Sequence, residues 1–274
     1  MIDLTVSLVL YRQCASELAM CLHALNDAWM RYAAMAPGAC CQVCVVLNDE
    51  PDTPDARRIL ERLDTDASGY AFALCRVLGH GNVGFGRGHN LALAHSPAHH
   101  HLILNADVVL SPDYIVEHMR FMQAHADVVL LTPQGFGLRD EPLYLAKRYP
   151  SWTVLLGRFV GERRLPSAWA RRLAHYRYAD QGVPAQAVDI DIASGCCMFV
   201  RGEALRQCGG FDERYFLYFE DFDLSLRLAR WGRVVQLPVK IRHAGGEAGR
   251  KGGWHVLLFL RSALRFFATH GFRW

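Results

Sequence analysis

Three carboxylates and five apolar side chains share the segment Phe216-Leu217-Tyr218-Phe219-Glu220-Asp221-Phe222-Asp223. Carboxylates favour helix N-termini, so an exposed acidic cap is one account of them. A solvated cap, however, has no use for so many aromatic neighbours. An apolar setting raises carboxylate pKa values and brings general-base chemistry towards neutral pH. A second cluster, Leu102-Ile103-Leu104-Asn105-Ala106-Asp107, puts a carboxylate just past an apolar run. Such a group can bind a divalent cation that also grips phosphate oxygens. An Asx turn closing the strand explains it equally well. A third, Gly84-Phe85-Gly86-Arg87-Gly88, looks like a dinucleotide fingerprint but has the spacing GxGxG and follows the third strand, not the first. Close approach of the backbone to a ligand, or helix–strand packing, accounts for these glycines better than a nicotinamide cofactor does.

These clusters need elements to hold them. Residues 4–10 (LTVSLVL) read as a buried strand, and Leu18, Cys21, Leu22, Leu25 and Trp29 recur at helical spacing within 16–35, which Pro37-Gly38 closes. Strands are predicted at 42–47, 71–78 and 102–104, with helices at 55–63 and through Asn90 and Leu93. Alternation of strand and helix predicts a parallel sheet covered on both faces. Ligands of such sheets collect beyond the carboxyl ends of the strands, where the polar clusters fall. Patterning loosens from about 135 to 185, a basic and aromatic insertion with Arg or Lys at 139, 147, 148, 158, 163, 164, 171, 172 and 177. Regular patterning resumes at Val188, and residues 254–270 form an amphipathic helix with Arg261 and Arg265 among Leu and Phe.

Bulk properties remove several classes. Hydrophobic residues make up 51% and charged residues 21% of 274, as suits a folded core, not a disordered chain. A net charge of +3 is too small to imply nucleic acid. The opening Met1-Ile2-Asp3-Leu4 has no basic stretch, and the apolar run 256–260 is far short of the roughly 20 residues of a membrane span, so a cytoplasmic protein is expected. Nine scattered cysteines read as reduced core thiols, and the lone Cys41/Cys44 pair lacks the partners of a zinc site.

Taken together and in order, these segments resemble the family 2 glycosyltransferases of the GT-A fold, nearest their rhamnosyltransferase-like branch. Tyr11 ends the opening strand as the family's nucleotide-contacting start does, and Asn48-Asp49 stands where the family has Asp-Asn. Asn82 through Asn90 is similar to the family's Asn-x-Gly-Phe…Gly-x-Asn segment, and Asn105-Ala106-Asp107 occupies the DxD position. Ser194-Gly195-Cys196-Cys197-Met198 matches the acceptor-side segment, and Gly209-Gly210-Phe211-Asp212-Glu213 followed by residues 219–223 is the most specific match. Two departures stand out: Asn105 replaces the first Asp of DxD, and Asn48-Asp49 is inverted.

The resemblance implies an α/β GT-A domain over 1–246, Rossmann-like, with a mostly parallel central sheet flanked by helices, and a C-terminal amphipathic helix in 247–274. It implies inverting transfer from a nucleotide-sugar, dTDP-rhamnose first and a UDP-sugar next, to a glycan or lipid-diphosphate-linked acceptor in surface polysaccharide synthesis. Asp221 would be the general base, with Glu220, Asp223 and Gly195 supporting it or the acceptor. Tyr11, Arg12, Asn48, Asp49, Gly86, Arg87, Asn90 and Asn105 would bind the nucleotide-sugar, and Asp107 with His243 would hold Mg²⁺ or Mn²⁺. The alternative is a catalytically decayed binding protein, a reading fed by Asn105. A nucleotidyltransferase fails because Tyr11-Arg12-Gln13-Cys14 is no phosphate loop. The tail helix suits an anionic membrane surface at the inner face of the cytoplasmic membrane; packing on the domain or a homodimer contact are its other readings.

Overall fold

The computed structural model describes residues 2–49, 53–155, 166–243 and 253–272. Arg158, Arg163 and Arg164 of the basic insertion lie outside the described residues.

The first strand, β1 (Ile2–Leu10), is the spine of the molecule, with Leu4, Val6, Leu8 and Leu10 fully buried. It pairs in parallel with β2 (Cys41–Leu47) on one side and β4 (Ala98–Leu104) on the other, and β3 (Ala73–Val77) extends the sheet beyond β2. Helix α1 (Ala15–Met35) buries the stripe Leu18, Cys21, Leu22, Leu25 and Trp29 that its periodicity predicts. Helix α2 (Pro54–Asp66) starts on Thr53, whose side chain accepts from the Ala56 N–H, with Pro54 fitting the first turn. Helix α3 (Phe85–His95) returns the chain to β4.

The second half adds β5 (Val108–Leu110), α4 (Tyr114–Ala124), β6 (Val128–Phe136), β7 (Pro142–Leu143), β8 (Ala146–Lys147), α5 (Ser167–Tyr176), β9 (Val188–Asp189), β10 (Ile192–Ala193), β11 (Cys197–Arg201), α6 (Gly202–Gln207), α7 (Glu220–Leu228) and β12 (Arg233–His243). Among the described residues the sheet runs β3-β2-β1-β4-β11-β6-β12-β5. Its first four strands are parallel, whereas β11 is antiparallel to both β4 and β6. The chain grows from β1 outward to β3 and then resumes on the opposite flank at β4. That reversal makes the carboxyl ends of β1 and β4 the switch point, where a ligand crevice opens. Because β11 runs backward, its start faces the end of β4, pairing Cys197 with Leu104. Residues 194–196 are thereby delivered to the same edge.

A separate apolar cluster binds the insertion, the acidic segment and the tail together. Val154, Leu155, Leu173 and Tyr176 meet Tyr215, Phe219 and Phe222, and all pack on Ala263, Phe266 and Phe267 of α8 (Gly253–His270). The tail helix thus packs on the domain along one face. Cys41 and Cys44 are buried in β2, where burial and then Cys75 push the Cys44 thiol up to about 12. Cys14 and Cys40, in contrast, are exposed.

Candidate functional site

Tyr11 and Arg12 follow β1, and Asn48 and Asp49 follow β2, so parallel pairing sets the two dipeptides side by side. The Arg12 N–H donates to Asp49 Oδ2 at 2.5 Å, and with Thr53, Asp55 and Asn82 these residues line an open cleft of about 390 Å³. Thr53 and Asp55 carry no sequence signal of a nucleotide contact, and Asn82 is marked only as the start of the Asn-x-Gly-Phe segment. Asn48 is buried; its Nδ2 donates to the Gly84 carbonyl at 2.9 Å, while its Oδ1 has no partner among the described residues.

Asn105 leaves β4 with its N–H bonded to the Cys196 carbonyl at 2.9 Å. Asp107 Oδ1 lies 3.1 Å from His243 Nε2 at the end of β12, and their side chains are only 18% and 14% exposed. Among the described residues no group of three or more His, Cys, Asp and Glu converges. Asp107 supplies the carboxylate that Mg²⁺ or Mn²⁺ favours alongside phosphate oxygens and water, while the His243 imidazole is a donor that suits transition metals better than Mg²⁺.

Asp221 sits in the first turn of α7 (Glu220–Leu228). Its Oδ2 accepts from the Gly195 N–H at 2.8 Å, and its Oδ1 accepts from the Phe222 N–H at 2.9 Å. A Cβ on Gly195 would come within 3.2 Å of the Asp221 Cβ, so the glycine permits this approach. Burial raises Asp221 above the usual carboxylate range, opposed by the two N–H groups and by Lys147. Burial and then the Asp221 charge raise Glu220 much further, and its Oε2 has no partner among the described residues. Both carboxylates are pushed up by burial, but the Gly195 and Phe222 N–H groups and the Lys147 charge favour the ionised form of Asp221, whereas the Asp221 charge works against ionising Glu220. Between the two acidic clusters lies Cys196, pushed up to about 12 by burial and also by both Asp107 and Asp221. The carboxylates therefore border one neighbourhood. Lys147, on β8 (Ala146–Lys147) and facing Ile192, had been visible only as one basic residue of the insertion.

Other predicted residues are placed differently. Asp223 is buried, accepting from Arg227 Nε at 2.7 Å and His270 Nε2 at 2.8 Å. Gly86, Arg87 and Asn90 turn towards the 209–213 segment and not the cleft. Asn90 exchanges hydrogen bonds with the Phe211 backbone at 2.8 and 2.9 Å, Arg87 pairs with Glu213 at 3.3 Å, and a Cβ on Gly86 would meet Phe211 at 2.9 Å. Gly88 packs on Val9 of β1, so helix packing explains these glycines.

The turn before Asp221 is strained. Tyr218 and Phe219 both adopt left-handed backbone, with φ of 71° and 66°. Bulky residues rarely do so, at a cost of about 1–3 kcal/mol each, and they persist only where surroundings over-determine them. Here α8 supplies the restraint: Ser262 Oγ donates to the Leu217 carbonyl at 2.8 Å, Tyr218 OH bonds His255 Nδ1 at 3.0 Å, and Phe219 packs on Phe259 and Phe266. From the other side the Phe85 N–H donates to the Phe216 carbonyl at 3.1 Å. Gly84 lies against that carbonyl, with φ of 89° and room for no Cβ, which would sit 2.4 Å from the oxygen. Gly84→Ala is expected to destabilise the fold by on the order of 2 kcal/mol, read as a lower denaturation midpoint. An unchanged midpoint would mean that the turn yields freely.

Comparison with known proteins follows this geometry. A protein from Mycobacterium tuberculosis, N-acetylglucosaminyl-diphospho-decaprenol L-rhamnosyltransferase, is 33% identical over 109 residues, covering 39% of this chain and 36% of that protein. The aligned part therefore spans about a third of that relative's length. Rhamnosyltransferase WbbL of Escherichia coli is 23% identical over 209 residues, covering 71% of this chain and 67% of the relative. In three dimensions GalNAc-T7, solved with UDP, GalNAc and Mn²⁺, superposes with a TM-score of 0.67 at 12% identity over 98% of this chain and 48% of that one. S. aureus TarS 1-349 in complex with UDP gives 0.57 at 14% identity, over 98% and 74%. These likenesses establish the GT-A-like fold. Residues 18–247 match the family described as Glycosyltransferase like family 2, and with that span covering most of its length the chain belongs to this family.

Proposed function

We propose that this chain transfers a sugar from a nucleotide-sugar to a hydroxyl of a glycan acceptor with inversion at the anomeric carbon. The observation that carries the proposal is Asp221, a carboxylate whose two oxygens each accept a backbone N–H, beside a Glu220 pushed up by burial and by the Asp221 charge. Asp221 takes the acceptor hydroxyl proton as that oxygen bonds to the anomeric carbon. The bond from that carbon to the donor phosphate breaks with its electron pair, and the nucleoside diphosphate departs. One base is sufficient for a single displacement, and no protein nucleophile is needed. Asp107 and His243 are the residues that would hold a divalent cation, which when bound offsets charge on the diphosphate. Tyr11, Arg12, Asn48 and Asp49 would receive the nucleotide in the cleft they line.

Rhamnose from dTDP-rhamnose is the first donor to test, supported by the two rhamnosyltransferase relatives, with UDP-sugars next. A second cleft, of about 590 Å³, is lined by Arg148, Arg171, Arg172 and His175 with Ser151 and Thr153. Its basic character suits an acceptor carried on a lipid diphosphate, the setting of a surface polysaccharide enzyme working at the cytoplasmic face of a membrane.

The deciding experiment is donor binding and turnover across dTDP-, UDP- and GDP-sugars, with Mn²⁺ or with EDTA. One donor is expected to turn over on addition of a lipid-linked glycan, at a rate that falls at least tenfold in EDTA. Binding of none would remove the nucleotide cleft from this reading. Binding without turnover on any lipid-linked acceptor would favour a catalytically decayed binding protein.

A further inference from the structure

Helix α8 is apolar on two faces. Its inner face buries Leu258, Ala263, Phe266 and Phe267 in the domain. Its outer face exposes Trp254 (66%), Leu257 (56%), Leu260 (43%) and Leu264 (58%). These residues recur every three or four positions, so they form one stripe running roughly 15 Å along the helix. An amphipathic surface helix ordinarily turns charge outward, and contiguous apolar patches of this kind mark a surface that meets something. The only charged residues of the helix are Arg261, exposed on the border of the stripe, and Arg265, whose guanidinium donates to the Arg214 carbonyl at 2.8 Å. From position 248 to 274 the sequence has five basic residues and no acidic one.

We propose that the outer face of α8 docks in the plane of an anionic phospholipid bilayer. Apolar side chains enter the headgroup boundary, Trp254 occupies the interfacial level that tryptophan favours, and Arg261 meets lipid phosphates. A second copy of this chain fits less well. A two-fold contact would bring Arg261 and Arg265 of both copies together along the apolar stripe, with no acidic residue on the helix to answer them. No helix among the described residues is long and apolar enough to cross a membrane, so the contact lies along the surface. Since the inner face of α8 grips the turn before Asp221, docking would hold that turn in a fixed relation to the lipid surface.

Co-sedimentation of the full chain with vesicles tests this, using phosphatidylcholine alone and phosphatidylcholine mixed with phosphatidylglycerol. No sugar donor is needed, so the outcome is independent of the transfer reaction. The chain is expected to pellet with the phosphatidylglycerol vesicles, less with the neutral ones, and less as salt rises. Leu257→Glu with Leu264→Glu should weaken binding at least tenfold, and Arg261→Gln about fivefold. Both leucines are exposed, so an unchanged denaturation midpoint will show that the variant is folded. Failure of the wild type to bind, or equal binding by the leucine variant, would overturn the proposal. So would a dimer, seen by light scattering, that the same substitutions dissolve.

Discussion

Asp221→Asn is expected to lower turnover by on the order of 10²–10⁴ while leaving donor binding essentially unchanged. The amide is isosteric and keeps one oxygen for the Gly195 N–H, giving up only the acceptor that faces the Phe222 N–H. What is lost is the capacity to take a proton from the attacking hydroxyl, a loss confined to the transition state. Turnover and turnover over KM should therefore fall together, with donor affinity by calorimetry as the control. Glu220→Gln sharpens the assignment. Burial and the Asp221 charge both push the Glu220 carboxyl well above the usual carboxylate range, which favours its neutral form, so the neutral amide is expected to be nearly silent. The opposite result, a silent Asp221→Asn with a crippled Glu220→Gln, would exchange the two roles. Full activity in both would remove the acidic helix from the chemistry.

Acid is expected to unfold this protein well above the pH at which exposed carboxylates titrate. Four histidines are held neutral by burial, each with its pKa lowered: His89 well below its usual value, His100 and His101 to about 4, and His118 to about 3. Ser7 Oγ bridges His89 Nδ1 at 2.6 Å and His101 Nε2 at 2.9 Å beneath the sheet's switch point, and His118 Nδ1 bonds the Tyr114 carbonyl at 2.7 Å. The sign follows from proton uptake: the unfolded chain protonates these rings near pH 6.5, while the folded chain does not until about pH 4 or lower. Their contribution is complete above pH 6.5 and is lost as pH falls, by about 3 kcal/mol each for His101 and His118 on reaching pH 4. Glu220 and Asp221, both raised, work in the opposite direction, since protonating them favours the folded state as pH drops. Asp127, Asp180 and Asp212, held low by Arg233, His175 and Arg214, add to the loss in acid that the histidines bring. Urea unfolding at pH 7.0, 5.5 and 4.5 should show a steep loss of stability; a flat profile would mean that the rings are hydrated or charged in the native state.

The first half of the chain was the more legible. Buried strands 4–10 and 42–47 and the stripe of α1 are repetitive signals that local burial enforces, and the structure follows them nearly residue for residue. Helix α4 was overlooked although Ile115, Met119 and Met122 carry helical spacing. The antiparallel insertion of β11 between β4 and β6 has no local signature, because strand order is decided by which long-range pairing closes the core. The same holds within the site. Carboxylate-rich segments announce themselves by residue type, so Asp107 and Asp221 could be singled out. Arg227, four residues on, is a local partner of Asp223, but that Asp223 also meets His270, and Asn90 meets Phe211, depends on partners more than forty residues distant. Least legible were Tyr218 and Phe219, whose left-handed backbone runs against the preference of both side chains and is imposed by α8.

That turn also sets an order of events during synthesis. The residues of α8 leave the ribosome after the sheet and after the acidic helix, and domains tend to fold as their segments emerge. A nascent chain can therefore complete its ten-stranded sheet, its cleft and every recognisable motif while Tyr218 and Phe219 are still free to relax into ordinary backbone. Only when Ser262, His255 and Phe266 arrive does the turn lock and aim Asp221 at Gly195. Translation products that stop short of Gly253 would lack the restraint on that turn and leave Tyr215, Phe219 and Phe222 uncovered, so competence would be conferred by the tail.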